Sequence, residues 1–159
     1  MNKVDEALKL NKMEAFEKDL ASAMAVSADG KPTIIAIFDL DKFMRVNDTF
    51  GVDFGDKVLI NAGEYFKKSV PANLSLYRIG GDEFAIIFDN VMSKAEITKL
   101  MNEICSNYTE FLPNNDKLTI SVGIAEAIKD ASSYQELIKK AETALYSCKS
   151  EGGNKVALA

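Results

Sequence analysis

The sequence predicts an α/β (α+β) fold in which helices surround a mixed or mostly antiparallel sheet. Helical and strand patterns alternate along the chain, as is typical of this class. Two short strand patterns, over residues 74–79 and 83–88, are separated only by the Gly-Gly-Asp sequence of residues 80–82. That separation predicts a hairpin, and a hairpin requires antiparallel pairing.

The first half of the chain predicts two helices with a buried strand between them. Apolar residues at helical spacing form one stripe over residues 4–24, which predicts a single helix that ends at the Asp-Gly-Lys-Pro sequence of residues 29–32. Residues 33–38 are a continuous apolar, β-branched run, the pattern of a central strand buried on both faces. A second helix ends before Pro71, and its marked positions are Val58, Ala62, Tyr65, Phe66 and Ser69.

The second half predicts the hairpin, two more helices and two more strands. We expect a positive φ in the glycine turn of residues 80–82. Strict alternation over residues 118–125 predicts a half-buried strand, and residues 155–158 can add an edge strand after Gly152 and Gly153. Capping patterns at Ser93 and Ser133 predict the starts of two helices. The predicted inner face of the first helix is Ile97, Leu100, Met101, Ile104, Tyr108 and Phe111. That of the second is Leu137, Ile138, Ala141, Leu145 and Cys148.

Composition restricts both the chemistry and the setting. The 159 residues predict one domain over 1–159, with a helical segment over 1–30 and a core over 33–158. The chain contains no His, which excludes a Ser-His-Asp triad and a histidine general base within it. A net charge of −5 disfavours nucleic-acid binding. We expect Cys105 and Cys148 to be free thiols, and a cytoplasmic chain without a membrane segment.

Acidic side chains mark the candidate site. Asp39 and Asp41 follow the buried strand, and Asp82 and Glu83 lie at the hairpin tip, so we expect all four carboxylates to converge. Such a cluster persists when a divalent cation neutralises it, and Mg²⁺ with substrate phosphates suits phosphoryl or nucleotidyl transfer. The alternative is that these acids only cap and solubilise loops.

Asn47 and Asp56 are candidates for reading a purine base. The amide of Asn47 can donate and accept, and the carboxylate of Asp56 can pair with the N1–H and N2–H₂ edge of guanine. Asn47 can equally be a local turn former. For Asp56 taken alone, the preferred interpretation is an N-cap or first-turn acid of the following helix.

Taken together, these segments resemble the successive motifs of the GGDEF family of diguanylate cyclases. The resemblance covers about residues 33–156. It implies a fold like a nucleotide cyclase or polymerase palm, with a central, mainly antiparallel five-stranded sheet. It also implies condensation of two GTP to cyclic di-GMP with release of pyrophosphate, in a transient homodimer. The matching segments are residues 39–43 (DLDKF), 47–48 (ND), 51, 55–56 (GD), 77–84 (YRIGGDEF), 121–125 (SVGIA), 144–146 (ALY), 149, 152 and 154.

The resemblance also implies roles for single residues. Mg²⁺, or Mn²⁺, would be held by Asp39, the Leu40 carbonyl, Asp82 and Glu83, of which Asp82 and Glu83 are the catalytic candidates. Asn47 and Asp56 match the pair that reads guanine. Lys149 and the backbone around Lys42 and Phe43 match the phosphate contacts.

Several positions depart from the family pattern. The family usually has Lys at Met44 and Arg at Gly153, so two of three cationic phosphate contacts are missing unless Lys42, Arg45 or Lys155 substitutes. Two alternatives follow: a GTP-binding or signalling module without turnover, and a cyclase with altered nucleotide choice. The family's usual His is Val52 here. The RxxD inhibitory site would fall on Pro71 and Leu74, so we expect none. An upstream sensor domain or protein is an expected partner.

Overall fold

A computed structural model of the protein describes residues 3–27, 31–89, 92–127 and 133–159. Five strands form one sheet in the order β2-β3-β1-β4-β5, in which only β4 and β5 run parallel. The predicted fold class, with its hairpin and edge strand, is therefore confirmed. The elements are α1 Lys3–Leu8, α2 Met13–Ala25, β1 Ile34–Leu40, α3 Phe43–Phe50, α4 Val52–Ser69, β2 Ser75–Arg78, β3 Glu83–Phe88, α5 Lys94–Asn107, β4 Ile120–Glu126, α6 Tyr134–Ser150 and β5 Val156–Leu158.

The central strand β1 separates two hydrophobic cores. All seven of its residues are buried, as the apolar run predicts. Ala36 and Phe38 face the core formed with α3, α4 and α5, whereas Ile35 and Ile37 face the core formed with α2 and α6. Because side chains alternate along a strand, Asp39 lies on the second face, beneath α6.

Strand β4 is buried on both faces, so the prediction of a half-buried strand is wrong. Its first six residues are all buried. A Cβ added at Gly123 would overlap the carbonyl oxygen of Ala141 and would lie 2.6 Å from the amide nitrogen of Leu145. Helix α6 therefore packs directly on the strand backbone. The small, polar alternate positions that suggested a solvent face instead permit this close contact.

The N-terminal segment forms two helices, so the prediction of one continuous helix is wrong. The chain turns at Lys9, whose φ is +55°, and the carbonyl of Asn11 accepts a 2.9 Å hydrogen bond from the amide of Arg78 in the edge strand β2. Leu8 packs in the core with α4, whereas Phe16 packs in the core with α6. One straight helix cannot bury both side chains, because the cores lie on opposite faces of the sheet.

Other local predictions are confirmed or corrected. The capping box at Ser93 is present, and Ser133 caps α6. Both cysteines are free and buried. Neither glycine of the 80–82 turn has a positive φ, because the turn extends over residues 79–82. Phe111 is 61% exposed, because α5 ends at Asn107 and leaves this residue beyond the helix. Residues 29–30 of the predicted stop lie outside the described part of the chain, in which no helix has the length and apolarity to cross a bilayer.

Candidate active site

Asp39 and Glu83 lie opposite one another where β1 ends and β3 begins. They are register partners in the antiparallel pair, and their side chains share the α6 face of the sheet. Asp39 is only 7% exposed, and Glu83 is half-buried. Asp82 immediately precedes Glu83 in the hairpin turn. The hairpin thus brings acids that are more than forty residues apart in sequence to one edge of the sheet.

The environment of Asp39 disfavours the ionised form of its carboxyl group. Burial raises the pKa of Asp39 to about 7, and the negative charges of Asp82 and Glu83 add to this rise against the opposing effect of Lys149. Its buried Oδ1 accepts no hydrogen bond of acceptable alignment, although the Lys149 ammonium lies nearby. A buried carboxylate oxygen in this state is suited to bind a cation.

Lys149 places its ammonium group at the candidate metal position. Nζ lies 2.6 Å from Asp39 Oδ1, 3.1 Å from Asp41 Oδ1 and 3.4 Å from the Leu40 carbonyl oxygen. Burial alone would lower the pKa of Lys149, but its contacts with Asp39 and Asp41 outweigh burial and raise it. Oxygens of Asp39, Asp41 and Leu40 therefore converge on one cationic group, and oxygen donors of this kind suit a divalent cation.

Asp41 has a structural role that is distinct from the acids of the hairpin. Its carboxylate accepts hydrogen bonds from Thr119 Oγ1 (2.6 Å), Ser121 Oγ (2.7 Å) and the Asn154 amide (2.8 Å), besides the contact with Lys149. Burial alone would raise the pKa of Asp41, but these donors hold it below its usual value. Asp41 thus ties β1 to β4 and to the loop before β5.

The expected convergence of all four carboxylates on one metal position is wrong for the described part of the chain. Within the described ranges, no group of three or more Asp, Glu, His or Cys side chains is arranged to hold a metal ion. Both oxygens of Asp41 already accept hydrogen bonds from Thr119, Ser121 and Asn154, while Asp41 Oδ1 also contacts Lys149. Mg²⁺ commonly takes only one or two protein carboxylates, with water and substrate phosphates as the other ligands.

Glu83 has an acidic neighbour that the sequence motifs do not reveal. Burial raises the pKa of Glu83, and the charges of Glu142 and Asp82 add to the rise, while Lys149 opposes it. Glu142 is an exposed residue of α6. It lies two turns before Lys149, so the same helix face carries one acid toward Glu83 and one cation toward Asp39. That helical spacing is the signal by which it could be found.

Asn47 and Asp56 lie on the two helices that follow β1. Asn47 is inside α3, and its buried Oδ1 has no hydrogen-bond partner. This oxygen abuts Gly55 so closely that a Cβ at Gly55 would overlap it. Asp56 is the fifth residue of α4, which begins at Val52. The interpretation of Asp56 as an N-cap or first-turn acid is therefore wrong, because Gly51 is the N-cap, with a φ of +91°, and the acid of the first turn is Asp53.

The start of α3 supplies backbone donors beside the acids. Lys42 is its N-cap in a left-handed conformation, with φ at +56°, and the amide of Arg45 donates to the Lys42 carbonyl. The amides of Phe43 and Met44 have no acceptor within the helix, as at any helix N-terminus. Such amides suit a phosphate oxygen. Lys42 is exposed, and Met44 is 78% exposed.

The structure explains why Gly153 has no side chain. Its φ is +78°, and an added Cβ would lie 2.7 Å from the carboxylate carbon of Asp41. The side chain of Lys155 is engaged with Glu151 at 2.8 Å. The loop before β5 is thus built around Asp41, which is held by Asn154 of the same loop.

Comparison with known proteins shows the family to which the chain belongs. A family model described as "Diguanylate cyclase, GGDEF domain" matches residues 2–155. The chain therefore belongs to the GGDEF domain family. It is 34% identical over 127 residues to probable diguanylate cyclase DgcC of Escherichia coli K12, which covers 79% of this chain and 34% of that protein. It is 30% identical over 156 residues to diguanylate cyclase DosC of the same organism, covering 90% and 31%.

The chain spans about a third of the length of these curated relatives. Among solved structures, it is similar to the GGDEF domain of DgcB from Caulobacter crescentus in complex with c-di-GMP. The TM-score is 0.82 at 29% identity, over 94% of this chain and 91% of that one. It shares the fold of diguanylate cyclase SiaD from Pseudomonas aeruginosa, solved with its activator SiaC, at a TM-score of 0.85 over 96% of this chain and 60% of that one, with 23% identity.

Proposed function

We propose that this chain is a Mg²⁺-dependent diguanylate cyclase that condenses two GTP to cyclic di-GMP in a dimer of domains. One observation carries the proposal above the others. Asp39, the Leu40 carbonyl and Glu83 meet beside the open amides of α3, with Asn47 and Asp56 further along α3 and α4. In this proposal, the arrangement would supply a cation site, a phosphate cradle and a base-reading pair.

Each group has a defined task in the proposed reaction. Asp39, the Leu40 carbonyl, Asp82 and Glu83 would hold Mg²⁺ or Mn²⁺. When bound, the ion neutralises triphosphate charge and favours attack at the α-phosphorus. Asn47 and Asp56 orient guanine, and the amides of α3 fix the phosphates.

Lys149 and Glu83 carry the charge and proton movements of this scheme. The Lys149 ammonium leaves the carboxylates of Asp39 and Asp41 and takes a phosphate oxygen as its partner. The 3′-hydroxyl oxygen of each GTP attacks the α-phosphorus of the other, and the bond to the β-phosphate breaks to release pyrophosphate. Glu83, beside the ion, is the candidate acceptor of the hydroxyl proton.

Product analysis tests the proposal directly. The protein is incubated with GTP and Mg²⁺ over a range of protein concentrations, and the nucleotides are resolved by chromatography. We expect cyclic di-GMP, with a specific activity that rises with protein concentration because two domains must meet. No cyclic di-GMP at the highest concentration would refute it.

A variant of the hairpin tests whether the activity depends on Asp82. Asp82→Ala should abolish metal-dependent turnover and leave the fold intact, because Asp82 lies in a turn and contributes charge more than packing. Circular dichroism and thermal melting check the fold. Full activity in this variant would exclude Asp82 from the cation site.

The second candidate function is a GTP-binding or signalling module without turnover. Its specific support is the loop before β5, where Gly153 abuts the Asp41 carboxylate and leaves no room for the usual arginine. Together with Met44, this removes two cations from the phosphate site. Calorimetry separates the candidates, since GTP binding without product supports the module and product formation excludes it.

A further inference from the structure

A cleft lies between α3 and the loop before β4. Its volume is about 470 Å³, within the range of small-molecule sites. Apolar residues of the cleft include Val46 and Leu118, both buried, and the half-buried Phe50. Asp41, Lys42, Gly152 and Asn154 of the cleft belong to the motifs that point to nucleotide condensation, whereas its other lining residues lie outside those motifs.

Most cleft residues of α3 lie away from the side of the helix that carries Asn47, although Phe50 lies only about 60° around the axis from it. Successive residues of an α-helix are rotated by about 100°, so Arg45 and Thr49 each lie about 160° around the axis from Asn47. Arg45 and Thr49 line the cleft, and Asn47 does not. A ligand in the cleft would therefore not share the site of the guanine.

The cleft carries a local excess of positive charge on an acidic protein. Lys42, Arg45 and Lys117 line it, and none of them forms an ion pair with another described residue. Of the two acids that line it, Asp41 is paired with Lys149, whereas Asp116 accepts from the neutral amide of Asn114 and keeps its charge. Three cations without an ion-pair partner among the described residues therefore face one such carboxylate, and this excess of positive charge favours an anion in the cleft.

We propose that this cleft binds a phosphorylated small molecule with an aromatic or apolar body, of the class of a nucleoside monophosphate. The phosphate lies among Lys42, Arg45 and Lys117, and the body covers Val46, Phe50 and Leu118. Because the cleft shares Asp41 and Lys42 with the active-site side of α3, such a ligand is positioned to alter the phosphate cradle. The two sites would be neighbours separated by one helix.

Calorimetric titration with AMP, adenosine and inorganic phosphate tests this assignment on the full chain without GTP or metal ion. We expect AMP to bind at least about tenfold more tightly than adenosine or phosphate, since only AMP supplies both contacts. No AMP binding at millimolar concentration would overturn the proposal. Equal binding of AMP and inorganic phosphate would overturn it too, because the apolar floor would then contribute nothing.

Variants of the lining cations test whether AMP binds in this cleft. Arg45→Gln combined with Lys117→Gln should weaken AMP about tenfold or more, since both change exposed cations that line the cleft. The matched control combines Lys18→Gln with Lys99→Gln, which removes the same charge from exposed positions of α2 and α5. If the control weakens AMP binding equally, the effect comes from the net charge of the protein, and the proposed site in the cleft is refuted.

Asp56→Ala separates this cleft from the guanine side of α3. AMP affinity should be unchanged, because Asp56 does not line the cleft. Loss of AMP binding in Asp56→Ala would place AMP in the other site and overturn the proposal. Because these titrations contain no GTP, their outcome is independent of whether the chain is a cyclase.

Discussion

Met44→Lys is expected to restore one of the cationic phosphate contacts that this chain lacks. Met44 is the second residue of α3, next to the open amides that we assign to phosphate, and its side chain is 78% exposed. A lysine there can therefore extend over the phosphate cradle without displacing any core residue. Met and Lys have similar helix propensities, so the helix itself is not weakened.

The expected gain follows from the exposure of the position. A hydrogen bond to a charged group contributes about 1.5–3 kcal/mol, and solvent screening at so exposed a side chain favours the lower end. We therefore expect GTP affinity to rise about tenfold. A new cation in the first turn of a helix costs about 0.3–1 kcal/mol of stability through the helix dipole, which bound phosphate offsets.

Calorimetry with a non-hydrolysable GTP analogue and Mg²⁺ measures this change at two salt concentrations. Met44→Gln is the matched neutral control, because it keeps the chain length and adds no charge. Val52→Lys adds the same charge at a 65% exposed position in the first turn of α4. If Met44→Lys binds no more tightly than Met44→Gln, or if Val52→Lys gains as much, the phosphate assignment at α3 is refuted.

Three further outcomes are expected from the geometry. Gly153→Arg, which restores the family's other cation, should not tighten GTP and should lower the free energy of unfolding by at least about 2 kcal/mol, because the residue has a positive φ and its Cβ meets Asp41. Gly153→Ala in the same urea titration should lose a similar amount, and an unchanged stability in both would contradict the contact. Gly123→Ala should cost about 3 kcal/mol because its Cβ would overlap the backbone of α6, whereas Gly81→Ala, where an added Cβ meets nothing within 4 Å, should be neutral by the same measurement. Asp39 has a folded pKa of about 7, above its unfolded value, so its contribution to stability is complete below the unfolded pKa and is lost as pH rises toward 7. Between about pH 5 and 8 the metal-free protein should lose about 3 kcal/mol relative to Asp39→Asn, and parallel urea stability profiles of the two proteins would show that Asp39 does not titrate in this range.

Much of the architecture could be predicted from local sequence. The apolar run of β1 predicts its burial, the hairpin predicts antiparallel pairing, and Ser93 predicts a helix start. These features depend on neighbouring residues alone, because burial pattern, turn composition and capping are short-range properties. The same holds for the order of the motifs, which is read along the chain.

The errors arise where a distant segment determines the environment of a residue. Alternating small residues in β4 resemble a solvent face, and only the approach of α6 to Gly123 shows that they are covered. The N-terminal apolar stripe resembles one helix, and only the two cores on opposite faces of the sheet explain its division at Lys9. Periodicity records that a residue is apolar, and it does not record which surface buries it.

The sequence by itself determined the class of fold, the absence of histidine chemistry and the acids at the ends of β1 and the hairpin. Only the tertiary structure decided which partners each of those acids has. Asp39 faces Glu83 and Lys149, and its Oδ1 accepts no well-aligned hydrogen bond. The carboxylate of Asp41 instead accepts hydrogen bonds from residues next to β4 and in the loop before β5. The two aspartates are only two residues apart, so nothing local distinguishes them. Their partners come from segments about forty to more than one hundred residues away, and those contacts exist only after the sheet has formed.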